Sequence, residues 1–442
     1  MQRKLLHKLL AIGVLSILLL IPLSMIESQI MARSARQGDV IRNIAESSAG
    51  AQTFVGPIIV VLYHERIERQ NKPDGNGRES TIHEVVERTQ AFPLQQLDVE
   101  GDLRIDSLSR GIYRARLYHL AANVRANGAI PPKLGLDKAE ILDAHASLVV
   151  GISDPRGIEN DPVVRVNGVA HRLVPGTAAG FAGKGAHIPL GEIDLTRGAN
   201  YEVDMQLNLT GLEQLAIAPT ANSTRVTLKS SWPHPSFQGR FLPQTRSVTK
   251  EGFEASWHVS HLARDLDHAI KAGERSGAGE TLGVSLIDPV NVYLKSERAV
   301  KYGILFVVLT FAAFFLTEIL QHLTIHPMQY LLVGLALAIF FLLLVALSEH
   351  LDFMVAYATS SIACVVLIGH YVAGALDCAR RGVVFGAAIA ALYGILYGLL
   401  ASEDNALLMG TVLLFIALGL TMVTTRKVDW NRAVPLTAAE EH

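Results

Sequence analysis

The chain has 442 residues, 39 Lys plus Arg against 41 Asp plus Glu, and a formal charge of −2. That balance argues against nucleic-acid binding driven by net charge and against a polybasic membrane-surface protein. Half the residues are hydrophobic and 18% are charged, too apolar for a purely soluble enzyme, and the charges crowd into residues 27–298, with only 6 Lys or Arg and 9 Asp or Glu from Ala299 onward.

In chain order, Arg3, Lys4 and Lys8 precede an apolar run over residues 9–26. The run is longer than the 7–15 residues of a cleaved leader and near the roughly 20 needed to span a bilayer. Ile30-Met31-Ala32 is a poor cleavage site, so the segment reads as an uncleaved signal anchor. Residues 27–48 continue as a helix with a break expected at Gly38. Strands then follow: residues 54–63 around Gly56-Pro57, 112–120, 163–173, 201–209, 225–229 and 253–259. Asp74-Gly75-Asn76-Gly77 marks a loop or hairpin tip, and Asn167-Gly168 a type I′ hairpin turn, which needs positive φ at both centres. Tyr201 to Leu209 alternates apolar and polar residues, as a half-buried strand does. This texture predicts an antiparallel β-sandwich-like domain, with Pro131-Pro132 as a candidate boundary between two lobes. The domain has no cysteine, so neither disulfides nor Cys-ligated zinc hold it together.

Five further apolar runs, about 300–320, 329–347, 353–374, 382–400 and 406–424, are each long enough to span. Both cysteines, Cys364 and Cys378, lie among them. One set of connections carries Glu349, Asp352, Glu403 and Asp404 without a basic residue; the other carries Arg380 and Arg381, and the tail has Arg426, Lys427 and Arg432. Positive residues mark the cytoplasmic side. The predicted fold is therefore an integral membrane protein with six transmembrane helices and a large β-rich periplasmic domain inserted between the first and second. The segments run 1–26 (cytoplasmic start and anchor), 27–298 (periplasmic domain), 299–424 (five-helix bundle) and 425–442 (cytoplasmic tail, disordered from Val434).

Several blocks together resemble one family. They are Val55-Gly56-Pro57, Val174-Pro175-Gly176-Thr177, His187-Ile188-Pro189-Leu190, Ser231-Trp232-Pro233-His234-Pro235-Ser236-Phe237 and Phe241-Leu242-Pro243. The most specific runs from His326-Pro327-Met328-Gln329-Tyr330 to Gly334-Leu335 and on to Leu347-Ser348-Glu349-His350. In order and spacing they resemble the CreD family of bacterial inner-membrane proteins over nearly the whole chain. The resemblance implies a role in cell envelope integrity and envelope stress, and it brings no catalytic residues with it.

Candidate chemistry is sparse. Glu318, near the inner end of the second span, is either a proton or ion relay or a polar contact in the bundle; it could also reach headgroup water or pair with His322. His326 could switch charge near neutral pH, or simply open a helix beside Pro327, with Gln329 and Tyr330 anchoring the interface. Ser348-Glu349-His350 with Asp352 could hold a metal or form a nucleophile and base, or be a hydrated turn, as could Glu403-Asp404. Trp232 and His234 form either a recognition surface or a packed crossover. His187 reads as an ordinary strand histidine. Gly382, Gly386, Ala390, Gly394 and Gly398 recur every four residues, flanked by Tyr393 and Tyr397. Such a small-residue ridge allows close helix packing, within the chain or in a homo-oligomer. No nucleotide motif is present, and no metal or other cofactor is expected. The expectation is a non-enzymatic envelope-maintenance protein in the inner membrane, both termini cytoplasmic. Its partners would be the lipid bilayer, an envelope component or a membrane protein, and not nucleic acid. The alternatives are a transporter or flippase-like protein using Glu318, a membrane enzyme acting on envelope precursors near Glu349 and His350, or a sensor partner of a membrane kinase.

Overall fold

The computed structural model describes residues 2–70, 81–177, 183–263, 280–286, 292–320, 325–375, 378–402 and 406–426. The chain forms two compact units, Met1–Gly38 with Val290–His442, and Asp39–Pro289. The predicted tip at 74–77, His322, Glu403, Asp404 and the tail from 427 lie outside the described residues.

Among its described residues the second unit is a sandwich of two eight-stranded sheets; its strands are numbered in chain order. The first sheet contains β1 (Gln52–Gln70), β2 (Thr81–Phe92), β5 (Glu140–Ile152), β8 (Val174–Pro175), β9 (Gly185–Glu192), β11 (Gln214–Ala218), β13 (Pro235–Gly239) and β16 (Leu282–Leu286). They lie in the order β13-β16-β11-β1-β5-β9-β8, with β2 paired to β1. The second contains β3 (Leu94–Arg110), β4 (Tyr113–Ile130), β6 (Val163–Val166), β7 (Val169–Arg172), β10 (Ala199–Leu212), β12 (Ala221–Ser230), β14 (Thr245–Thr249) and β15 (Gly252–Ser260), in the order β14-β15-β12-β3-β4-β10-β6-β7.

Alternation builds the core. In β4, alternate residues such as Leu120, Ala122, Val124 and Ala126 are buried, as are Val99 in β3, Leu207 in β10 and Leu228 in β12. They join Ile59, Val61, Leu148 and Val150 of the first sheet in one apolar cluster, the arrangement two packed sheets require. That cluster draws on strands before and after Pro131-Pro132, so the domain is one lobe; residues 132–135 form only a short 3-10 turn. Asn167 and Gly168 both have positive φ, 50° and 81°, and turn β6 into β7.

The other unit is helical. α1 (Gln2–Leu18) leads into α2 (Leu20–Ser47), which passes through Gly38 without the expected break. A mid-helix glycine is only weakly unfavourable, and Val40, Ile41 and Ala45 beyond it pack with Ile44 against Ala115, Leu117 and Leu212. After the sandwich come α3 (Val292–Lys301), α4 (Gly303–Leu320), α5 (Pro327–Ser348), α6 (Phe353–Ala375), α7 (Ala379–Ala401) and α8 (Ala406–Thr425). Among the described residues, five helical segments are long and apolar enough to cross a membrane, and α3 with α4, bent by 42°, makes a sixth if counted as one span. A large β domain thus stands between an N-terminal apolar helix and a set of C-terminal ones.

Candidate functional site

The outer face of the second sheet carries a polar trough of about 760 Å³. Strand register explains its floor. Lys229 of β12 lies opposite both Glu254 of β15 and Asp102 of β3, Asp102 opposite Ala121 of β4, and Ala121 opposite Asn208 of β10. These five side chains therefore share one row, because residues level with one another on neighbouring strands point to the same face. Ala121 is the smallest of them and leaves the depression. In the next row Arg104, His119 and Thr210 are aligned.

His119 is the best-connected group there. Its Nδ1 meets Glu159 Oε1 and, at 3.0 Å, the Thr210 hydroxyl; its Nε2 is 3.3 Å from Asp106 Oδ2. The Thr210 hydroxyl donates to Glu159, and this bond, with the imidazole beside it, holds the Glu159 carboxyl below the usual carboxylate range. Lys229 Nζ and Glu254 Oε1 are 3.1 Å apart. The trough thus presents ammonium, carboxylate, amide and imidazole groups side by side, suited to a polar ligand rich in both donors and acceptors. Sequence reading missed it: apart from Ala121 and the loop residue Glu159, the residues are ordinary polar positions of alternating strands, and only the order β15-β12-β3-β4-β10 brings them together.

Trp232 and His234 follow the trough-lining Ser230 and Ser231 but do not themselves line the trough. The Trp232 indole donates to the His234 carbonyl at 3.0 Å, the two rings meet edge to face at 5.9 Å, and the Arg116 guanidinium sits 4.6 Å from the indole centroid. Trp232 packs on the edge of the main core while His234 is exposed. His187 on β9 bonds the Gly176 carbonyl at 2.7 Å through Nδ1.

In the bundle, Glu318 is buried at 6% exposure. Its carboxylate accepts from the Tyr330 hydroxyl at 2.9 Å, from the Ile325 amide at 3.1 Å and from Lys8 Nζ. The Lys8 ammonium also donates to the Ile325 carbonyl at 3.0 Å. His326 is the N-cap of α5: its Nδ1 accepts from the Met328 amide at 3.2 Å, and the Gln329 side chain accepts from the His326 amide at 3.1 Å. With Pro327 in the first turn this is a capping box using imidazole. The Ser348-Glu349-His350 neighbours do not converge. The Ser348 hydroxyl donates to Val345 O at 2.9 Å, Glu349 turns toward Tyr293 Oη at 3.2 Å and Arg33 at 3.4 Å, and His350 is exposed. Among the described residues no group of three His, Cys, Asp or Glu is placed to hold a metal ion.

The small-residue ridge of α7 is used unevenly. A Cβ on Gly382 would come within 2.4 Å of Ala373 Cβ and 2.7 Å of the Gly369 carbonyl on α6, and Gly386 faces Gly369 at 3.6 Å. Ala390 and Gly394 instead line an apolar groove of about 380 Å³ between α6 and α7, with Tyr393 and Tyr397 also lining it. A Cβ on Gly394 would meet nothing within 4 Å, and one on Gly398 would rest 3.6 Å from Met409.

A family model described as "Inner membrane protein CreD" matches residues 4–431. Inner membrane protein CreD of Escherichia coli (strain K12) is 37% identical over 421 residues, 94% of this chain and 91% of that one. Among solved structures, an M1 zinc metallopeptidase from Deinococcus radiodurans and a point mutant of the same enzyme each align with 44% of this chain and 42% of their own. The sequence identity is 11% and the TM-scores are 0.21 and 0.22; at such scores the likeness carries no argument.

Proposed function

This chain belongs to the CreD family of inner membrane proteins, and we propose that it maintains the cell envelope without catalysing a reaction. In this reading the sandwich lies on the periplasmic side and binds a polar envelope component in its trough, while the helices anchor it with both termini in the cytoplasm. The trough carries the proposal: it is a wide polar depression whose groups come from five strands. Placement of the sandwich outside the cytoplasm rests on the basic residues near the N-terminus, at Arg380 and Arg381, and in the tail. The engagement of Glu318 with Lys8, Tyr330 and Ile325 supports an anchoring role for the bundle over a relay.

The test is complementation of a deletion strain under detergent challenge by full-length protein carrying Ala121→Arg, with membrane abundance followed by blot. The long cationic side chain rises from the trough floor without removing any hydrogen bond named above. Loss of rescue at normal abundance is expected. Full rescue would overturn the ligand-binding role of the trough.

A further inference from the structure

We infer that the bundle carries a built docking groove for the chain's own N-terminal helix, which is held there in the mature protein as an integral member rather than a simple tether. The groove recognises the helix by charge at two levels and by shape between them.

At the first level the Lys8 ammonium is received by Glu318, itself held by the Tyr330 hydroxyl, and by the Ile325 carbonyl. At the second level Arg33 lies 3.4 Å from Glu349, which also receives the Tyr293 hydroxyl. The two levels share one design: a bundle carboxylate, a tyrosine that orients it, and a cation from the N-terminal segment. Between them, Leu19 and Leu23 are 0% and 4% exposed. A Cβ added to Gly334 of α5 would strike Leu19 Cδ1 at 2.2 Å, and one on Gly303 of α4 would lie 3.0 Å from Leu23 Cδ2. Gly334 and Gly303 are therefore sockets for two leucines one helical turn apart.

The spacing agrees along both helices. Lys8 and Arg33 are 25 residues apart, and Ile325 and Glu349 are 24 apart. Leu19 falls between the two cations as Gly334 falls between their two receivers. α1 and α2 run on as one helical segment over His7–Ser47, and two helices with the same rise that match at three points run parallel and in register. At roughly 1.5 Å per residue the ion pairs are separated by about 37 Å, more than the hydrocarbon thickness of about 30 Å. Each pair can thus lie at one boundary of the bilayer, with the leucine sockets at its middle. The buried face is a stripe, Leu19, Leu23, Ile26 and Ile30, while Val14, Ile17, Ile21 and Met25 are exposed. One face of this helix is specified for protein and the others for lipid.

The docking is independent of what the trough binds. It is tested with full-length protein in nanodiscs and by membrane abundance. Lys8→Glu and Glu318→Lys should each lower the melting temperature and the abundance, and the double exchange should restore much of both. Single variants that melt like the wild type, or a double exchange no better than the worse single, would overturn the pairing. Because a single reversal could abolish insertion, a second measurement uses Leu19→Cys with Gly334→Cys in a Cys364→Ser, Cys378→Ser background. Oxidation should join most of the molecules, while Leu20→Cys with Gly334→Cys and Leu19→Ala, which clears the same socket, should join few, since Leu20 is exposed. Equal cross-linking of both pairs would overturn the docking. Intact mass should retain residues 8–33, and a mature chain beginning after Ala32 would overturn it outright.

Discussion

Gly382 and Gly394 occupy equivalent places in one sequence pattern and different physical situations. At Gly382 any side chain must displace Ala373 or the Gly369 backbone; at Gly394 there is open space. Gly382→Ala should therefore destabilise the bundle by roughly 1–3 kcal/mol, the usual cost of overpacking, whereas Gly394→Ala should melt like the wild type in a thermal-shift series. Equal effects would show that the ridge acts as a whole. His64 in β1 makes a different residue-scale case. Asp143 accepts a hydrogen bond from its Nδ1 at 2.8 Å, and this bond, aided by the Asp143 and Glu87 charges, raises the imidazole above its ordinary value. A raised folded value means that the contribution is complete below about pH 6.5 and fades as pH rises through the folded value. The gap in melting temperature between wild type and Asp143→Asn should thus narrow from about pH 5.5 to about pH 8.5. A gap of constant width would count against the pairing.

Among the elements, two helix ends are fastened by side chains that the sequence displays without explaining. His326 caps α5, so the block that most resembles the family is in part a helix-start device. His326→Ala should cost about 1 kcal/mol and His326→Asn little, because asparagine is a good N-cap; unfolding of the two variants side by side would tell. At the other end of the chain, Arg156 donates to the carbonyls of Glu46 and Ala45 at the end of α2, at 2.5 and 3.2 Å. Asp154 holds that guanidinium, and the bond, with the Gly50 and Arg156 amides, keeps the Asp154 carboxyl down at about 2. A depressed folded value means that the contribution is present above the ordinary carboxylate range and is lost as pH falls toward 2. Arg156→Ala should fray residues 44–47, read as faster amide exchange there; unchanged exchange would argue against the cap. Alternation, turn dipeptides and apolar run lengths made the strands and helices legible. The uses of Arg156 and Lys8 were not, because Glu46 and Glu318 stand 110 and 310 positions away from them and no local pattern distinguishes such pairs from solvated charges.

For the whole molecule, the architecture was readable from the uneven spread of charge and from apolar runs of spanning length. The trough was not, since its row of five strands joins residues from Asp102 to Glu254 in an order unrelated to sequence. The same non-local order made the expected division at Pro131-Pro132 misleading: two prolines mark a turn, but whether a turn separates lobes depends on which strands later pack across it. The candidate residues Glu349 and His350 show the converse. Adjacent in sequence, they part company in space, and Glu349 belongs with Arg33 and Tyr293.

The parallel pairings inside the two sheets also impose a timetable. Gln52 of β1 lies beside Leu215 of β11, and Leu94 of β3 beside Ala221 of β12, each joining strands more than 120 residues apart. Loop closure of that length must precede any gain from the contacts, which makes such pairings late and slow. A chain delivered N-terminus first therefore holds β1, β3, β4 and β5 for some time with unpaired strand edges, the condition in which strands stick to other chains. Chains arrested at residue 210 should be degraded rapidly by added protease, and chains arrested past residue 286, with β16 in place between β13 and β11, should resist it. Equal sensitivity at both lengths would mean that the sandwich closes by another route. If the timetable holds, this protein is most vulnerable during its own delivery, before the last third of the domain arrives to close the first.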